Sequence, residues 1–299
     1  MDITAMERAV AAYAALGGDA DRARLEFFAG LHRLQHEWAH RVAVEGGYPA
    51  PAAEQLEAWY WNADPVFQFV PVPIDPERFA QTLAAMAGYL VDKAGLDDDA
   101  ARGLSGCDWE AFCRQADLEL AGRDPAAFVE ACLGKIDEFG VGADVPASLF
   151  AMTLAFALRA WLQEPAQAVM ALAPDDRINH DCPLDCPVCG SPAAASFVGE
   201  SAGTDGRGRM QYCAMCGAQW PYERIRCGVC GTFNQTKLHY YNLEGDNAHR
   251  IQSCDACGQY QRVVFQDEIP GPLCMEVEDV VMAKLDKVAL DPRFRKERN

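Results

Sequence analysis

The stretch from Cys186 to Gly258 decides the fold, because it repeats one motif four times. The copies read Cys186-Pro-Val-Cys-Gly190, Cys213-Ala-Met-Cys-Gly217, Cys227-Gly-Val-Cys-Gly231 and Cys254-Asp-Ala-Cys-Gly258. A shift of 41 residues carries the first pair of motifs onto the second. The same shift carries Arg209-x-Gln211-x-Cys213 onto Arg250-x-Gln252-x-Cys254. Self-similarity at a fixed period marks a duplicated structural unit. Each copy brings four cysteines of its own, so the ligand sets are read sequentially. Cys186, Cys189, Cys213 and Cys216 form one, and Cys227, Cys230, Cys254 and Cys257 form the other.

Two cysteines spaced by two residues can hold one ion from a tight turn. The glycine that follows permits the positive φ that closes the turn without a Cβ clash. Backbone N–H groups in such a turn can point at the sulfurs and steady their charge. Two facing turns make a tetrahedral four-sulfur site, which suits zinc or iron. Ion binding of this kind contributes on the order of 10 kcal/mol to folding a unit with little core of its own. Four redox disulfides are the competing reading, and they lack the βαβ setting of a thioredoxin-like site. The spacing also differs from the cysteine runs of ferredoxin clusters.

Outside these loops lie Cys107, Cys113, Cys132, Cys182 and Cys274, which read as small buried hydrophobes. The first residues carry neither a basic start nor an apolar run before a cleavage site, so no signal peptide is expected. The longest weakly charged stretch, Val145 to Leu162, contains Arg159 and is short for a bilayer, so a buried core helix is expected there. These features predict a soluble cytoplasmic protein, where clustered cysteines are metal ligands sooner than disulfides.

The formal net charge of −18 disfavours phosphate backbones and anionic membranes as partners. From Cys186 to Arg262 there are seven basic residues against six acidic, which is no nucleic-acid footprint. Aromatic residues in that region (Trp220, Tyr222, Tyr240, Tyr241, Tyr260) fit either a protein-binding surface or the small core of such a unit.

Residues before about Ala173 read as helical, with apolar residues at three and four spacings. Helices are expected over 22–43 (Leu25, Phe28, Leu31, Leu34, Trp38), 76–93 (Phe79, Leu83, Met86, Leu90), 126–139 and 145–163. After the linker, short strands are expected at 209–212, 238–243, 249–252 and 262–266, and a closing helix from Met275 to Leu290. His36-Glu37-Trp38-Ala39-His40 matches the zinc-protease pattern, with His32 extending the stripe. No third histidine follows in the extended motif, and a solvated helix face is the reading adopted. No nucleophile elbow, phosphate loop or dinucleotide fingerprint is present, so no catalytic residues are assigned.

The sequence resembles the formate dehydrogenase accessory protein family, FdhE. The resemblance is carried by Cys186-Pro-Val-Cys-Gly-Ser-Pro192, Cys213-Ala-Met-Cys216 with Trp220, Arg224-Ile-Arg-Cys-Gly-Val-Cys230, Lys237-Leu-His-Tyr-Tyr241, Ser253-Cys-Asp-Ala-Cys-Gly-Gln-Tyr260 and Glu278-Asp-Val-Val-Met-Ala-Lys-Leu-Asp286. It covers roughly the last 110 residues. The resemblance implies a cytoplasmic, non-enzymatic protein that assists maturation of respiratory formate dehydrogenase. It implies contact with the catalytic subunit before export, and rubredoxin-like iron centres on the eight paired cysteines.

The expected fold is α+β and multidomain. An all-α helical domain (1–173) and a linker (174–185) precede two small rubredoxin-like, zinc-ribbon-like metal modules (186–225 and 226–270) and a C-terminal helix and tail (271–299). Each module is expected to hold one ion, iron by the resemblance or zinc by chemistry. The partner is expected to be the formate dehydrogenase catalytic subunit, with no nucleic acid and no membrane insertion. An electron-transfer protein and a zinc-ribbon adaptor for protein or nucleic acid are the alternatives.

Overall fold

A computed structural model describes residues 2–43, 47–142, 144–174, 181–200 and 207–291. Among these residues ten α-helices precede the cysteine-rich region. They are α1 (Ile3–Ala14), α2 (Asp19–Val42), α3 (Ala53–Trp61), α4 (Val66–Phe69), α5 (Pro76–Lys93), α6 (Asp98–Ser105), α7 (Trp109–Gln115), α8 (Leu118–Arg123), α9 (Pro125–Leu133) and α10 (Ala147–Met170). Six strands follow: β1 (Ala195–Glu200), β2 (Arg207–Tyr212), β3 (Gln219–Tyr222), β4 (Leu238–Asn242), β5 (His249–Cys254) and β6 (Tyr260–Phe265). Two further α-helices follow among the described residues, α11 (Met275–Val281) and α12 (Ala283–Ala289). The architecture is α+β, as expected. Among the described residues no helix is long and apolar enough to cross a membrane.

Helix α5 shows how sequence sets an element. Asp75 caps it by accepting from the Arg78 N–H at 2.9 Å, and Pro76 occupies the first turn. Phe79, Leu83, Met86 and Leu90 form its buried stripe. Helices α6, α7 and α8 are among those that escaped the periodicity reading, because each spans two turns or so. Their starts are nonetheless marked by aspartates: Asp97, Asp108 and Asp117 each accept a backbone N–H three residues on, as Asp124 does for α9. Two expected boundaries moved. The helix expected over 126–139 stops at Leu133, where tighter i→i−3 bonds from Lys135 and Ile136 take over. The one expected to end at Gln163 runs to Met170, through Pro165, with most of its length buried.

Strand order is β3-β2-β1-β6-β5-β4, and only the β1–β6 pairing is parallel. The two sequence repeats are therefore two three-stranded ribbons placed in tandem in one sheet. Their registers match: Arg209 faces Tyr222 in the first ribbon, and Arg250 faces Val263 in the second. The two metal modules expected from the repeat are thus laterally fused. The reading missed β1 and β3, which hold too few β-branched residues to stand out.

One core fills the helical body and extends into the sheet region, where it takes in Cys186, Val188, Cys189, Cys213, Cys216, Ala218 and Trp220. Further clusters seal the sheet against α11 and α12 (Phe197, Ile251, Val264, Met282, Leu285) and seal α1 and α2 against α11 (Met6, Leu25, Val277). The expected closing helix is broken at Met282, which is buried and starts a tight i→i−3 turn to Leu285. Of the expected linker, residues 175–180 lie outside the described residues, as does most of the tail (292–299). Cys182 and Pro183 are buried, and Trp220 Nε1 donates to the Pro183 carbonyl at 2.8 Å.

Candidate metal centres

All four Cys-x-x-Cys-Gly loops share one hydrogen-bond pattern. The glycine N–H donates to the first cysteine carbonyl in each: Gly190 to Cys186, Gly217 to Cys213, Gly231 to Cys227 and Gly258 to Cys254, at 2.8–3.1 Å. Each first cysteine N–H in turn reaches the carbonyl of the residue after that glycine, at 2.9–3.0 Å. The four glycines have φ between +71° and +82°, as the turn requires. In the third loop the N–H groups of Val229 and Cys230 point at Cys227 Sγ, both at 3.4 Å.

These turns bring the eight sulfurs into two quartets, Cys186/Cys189/Cys213/Cys216 and Cys227/Cys230/Cys254/Cys257, each spanning less than 4.8 Å. In the first, Cys186 and Cys216 lie 3.6 Å apart, as do Cys189 and Cys213. In the second, the pairs Cys227–Cys257 and Cys230–Cys254 are 3.9 and 3.8 Å apart. A tetrahedron with metal–sulfur bonds of about 2.3 Å has edges of about 3.8 Å, whereas a disulfide brings sulfurs to about 2.05 Å. The donor set and its spacing fit a single tetrahedral ion in each quartet. Bound iron would supply a one-electron couple; bound zinc would supply an inert cross-link.

The quartets differ in their surroundings. The first is wholly buried in the helical core. The orphan N–H groups at the start of α4, from Val66 and Phe67, donate to the carbonyls of Pro187 and Val188 in its first loop at 3.0 and 2.9 Å. Its second loop is held by Arg159 of α10. Arg159 donates to the carbonyls of Cys213 and Ala214 at 3.3 and 2.7 Å, to Tyr212 Oη at 3.0 Å and to Glu276 Oε1 at 2.6 Å. Arg159 holds the buried Glu276 carboxyl below its ordinary range, against the opposing effect of burial. Within the quartet, burial pushes the Cys186 and Cys216 thiols up. Hydrogen bonds from the other three thiols pull Cys213 down. In the second quartet Cys230 is exposed and Cys257 half-buried.

A second buried arginine joins the two ribbons. Arg209 of β2 donates to Ser196 Oγ at 3.0 Å and the Arg226 carbonyl at 2.9 Å, both within the first half of the sheet region. It also donates to Gln252 and Gln261 of the second ribbon, at 2.9 and 2.5 Å. Burial lowers its pKa. Neither arginine was singled out as functional from sequence. Arg159 did leave a signal, as the one charge in the helix expected over 145–163.

The protease-like pattern does not build such a site. His36 and His40 share a face of α2 with their Nε2 atoms 3.0 Å apart, and His40 Nδ1 contacts Glu164. Among the described residues, only the cysteine quartets gather three or more ligand atoms at metal-binding distance. Cys113, Cys132 and Cys274 are buried with thiols pushed up to about 12, and Cys182 is buried too, in line with their reading as packing residues; Cys107 is half-buried. The aromatics divide: Trp220 and Tyr222 are core, whereas Tyr240 and Tyr241 face solvent.

The fold and site define an α+β protein with two four-cysteine, metal-binding clusters on one sheet. Residues 185–224 match the family model "FdhE, central domain". Proteins named "Protein FdhE" from Escherichia coli O1:K1 / APEC, Shigella boydii serotype 18 and Escherichia fergusonii are each 34% identical over 113 residues, covering 38% of this chain and 33% of theirs. The chain thus spans about a third of the length of these curated relatives. The crystal structure of the FdhE protein from Pseudomonas aeruginosa superposes with a TM-score of 0.57 at 18% identity, over 97% of this chain and 92% of that one, and so shares its fold. The chain is thus similar to FdhE proteins in sequence over its cysteine-rich part, and to the Pseudomonas aeruginosa protein in fold.

Proposed function

We propose that this chain is a metal-binding accessory protein for a respiratory formate dehydrogenase. It would act in the cytoplasm on the catalytic subunit before export and perform no catalytic step of its own. The observation that carries this is the pair of four-sulfur clusters with tetrahedral spacing, fixed in one sheet against a helical body. Cys186, Cys189, Cys213 and Cys216 hold one ion, and Cys227, Cys230, Cys254 and Cys257 hold the other, with iron favoured by the family resemblance. The metals lock the sheet, and the locked surface docks an unfinished subunit. A pull-down from cells assembling formate dehydrogenase tests this. The catalytic subunit should be retained, and its absence would sink the reading. Elemental analysis of anaerobically purified protein should give two ions per chain.

The exposed Cys230 favours a second reading, in which the second ion passes single electrons to the client. Oxidised iron would colour the protein red and give a redox couple; zinc would give neither and end this reading.

A further inference from the structure

The tandem arrangement of the ribbons leaves one strand edge open where its counterpart is filled. The ribbons align through β2 and β5, which share the 41-residue register. Ala195 of β1 faces Tyr212 of β2; in the second ribbon the residue facing Ser253, the counterpart of Tyr212, is His239 of β4. Residues 195–198 of β1 thus correspond to residues 239–242 of β4. The outer edge of residues 195–198 pairs in parallel with residues 262–265 of β6. The corresponding edge of β4 is the end of the sheet, with no strand beside it among the described residues.

Exposed edges are normally blunted by charge or proline. The opposite edge strand, β3, has Pro221 in it and alternates buried Trp220 and Tyr222 with half-exposed neighbours. Strand β4 reads Leu-His-Tyr-Tyr-Asn, with neither proline nor Lys, Arg, Asp or Glu. Its outer half is exposed, Tyr240 by 43% and Tyr241 by 37%. Further exposed apolar side chains, Ile225, Val229 and Phe233, lie in or next to the third cysteine loop. Leu238 faces Cys254, so the open edge begins at the second quartet.

We propose that β4 is a docking edge that takes an extended segment of a partner polypeptide as a seventh strand, parallel to β4, as β6 lies along β1. The inference deepens the accessory-protein reading and rests on it for the identity of the client. Main-chain hydrogen bonds along residues 239–242 supply the grip, and Tyr240 and Tyr241 on opposite faces select alternate apolar residues. The overall charge of −18 repels an acidic segment, so the occupant is apolar without net negative charge. A second copy of this chain that offered β3, the counterpart of β6, in that parallel arrangement would place Pro221 where Arg262 pairs with β1. Pro221 lacks the N–H that such pairing needs.

The test uses the full, metal-loaded chain. The probes are the intact catalytic subunit of a formate dehydrogenase and overlapping 15-residue peptides spanning it. Some apolar peptides should bind, slowing amide exchange at residues 238–242 at least tenfold. Tyr241→Lys should weaken that binding at least tenfold while retaining its metal. If the subunit binds but exchange at residues 238–242 is unchanged, the edge proposal is overturned and the accessory reading stands. If neither subunit nor peptide binds, both are overturned. Self-association that Tyr241→Lys abolishes would name a second copy as the occupant, against the proposal. The exchange measurement needs no variant, so it decides the matter even if Tyr241→Lys misfolds.

Discussion

Gly217 and Gly258 occupy the same position in two copies of one loop, yet their surroundings differ. A Cβ on Gly258 would meet nothing within 4 Å, so Gly258→Ala costs only the positive-φ penalty, about 1–2 kcal/mol. A Cβ on Gly217 would lie 2.9 Å from an Arg159 guanidinium nitrogen. Gly217→Ala should therefore be the more destabilising of the two in urea denaturation, because it displaces a buried cation from its partners. His249 offers a second residue-level prediction. Its Nδ1 meets Asp246 at 2.9 Å and its Nε2 meets Glu278 at 2.8 Å, with Tyr13 Oη 2.8 Å from Glu278 and Lys284 2.7 Å from Asp246. Burial alone would depress the imidazole, but the two carboxylates outweigh it and raise its pKa to about 9. The stabilisation is complete below about pH 6.5 and is lost as the pH rises toward 9, on the order of 3 kcal/mol. Thermal melts should fall across that window more steeply for the native chain than for His249→Gln.

At the scale of elements, the two quartets are built alike and seated differently. The first is part of the helical core; the second reaches solvent through Cys230. On the metal-binding reading, Cys189→Ser should lower the urea midpoint of the helical signal along with the metal content. Cys227→Ser should remove one of two ions and leave that midpoint near its native value. Loss of the first ion on Cys227→Ser would contradict the sequential assignment of ligands. Arg159 ties α10 to the second cysteine loop and to α11, so Arg159→Met should cost about 3–5 kcal/mol by stranding the buried Glu276 carboxylate.

At the scale of the whole molecule, the same asymmetry governs how metal would leave. Ligand exchange needs access to a sulfur, and the described structure exposes one in the second quartet and none in the first. A strong chelator should release metal in two phases, the fast one assigned by its absence from Cys230→Ser. A single phase would mean that both ions leave through global unfolding.

The sequence by itself determined the four cysteine loops, their grouping into two quartets and the helix over 76–93. These are local facts: a cysteine pair with its glycine closes a turn within five residues, and a capped apolar stripe needs nothing beyond its own helix. Tertiary structure alone decided that the duplicated units fuse through β1 and β6, that one quartet is sealed and the other open, and that Arg159, Arg209 and Glu278 are buried. Burial and strand order are set by partners remote in the chain. Arg159 and Glu276, for example, stand 117 residues apart, beyond the reach of any local pattern.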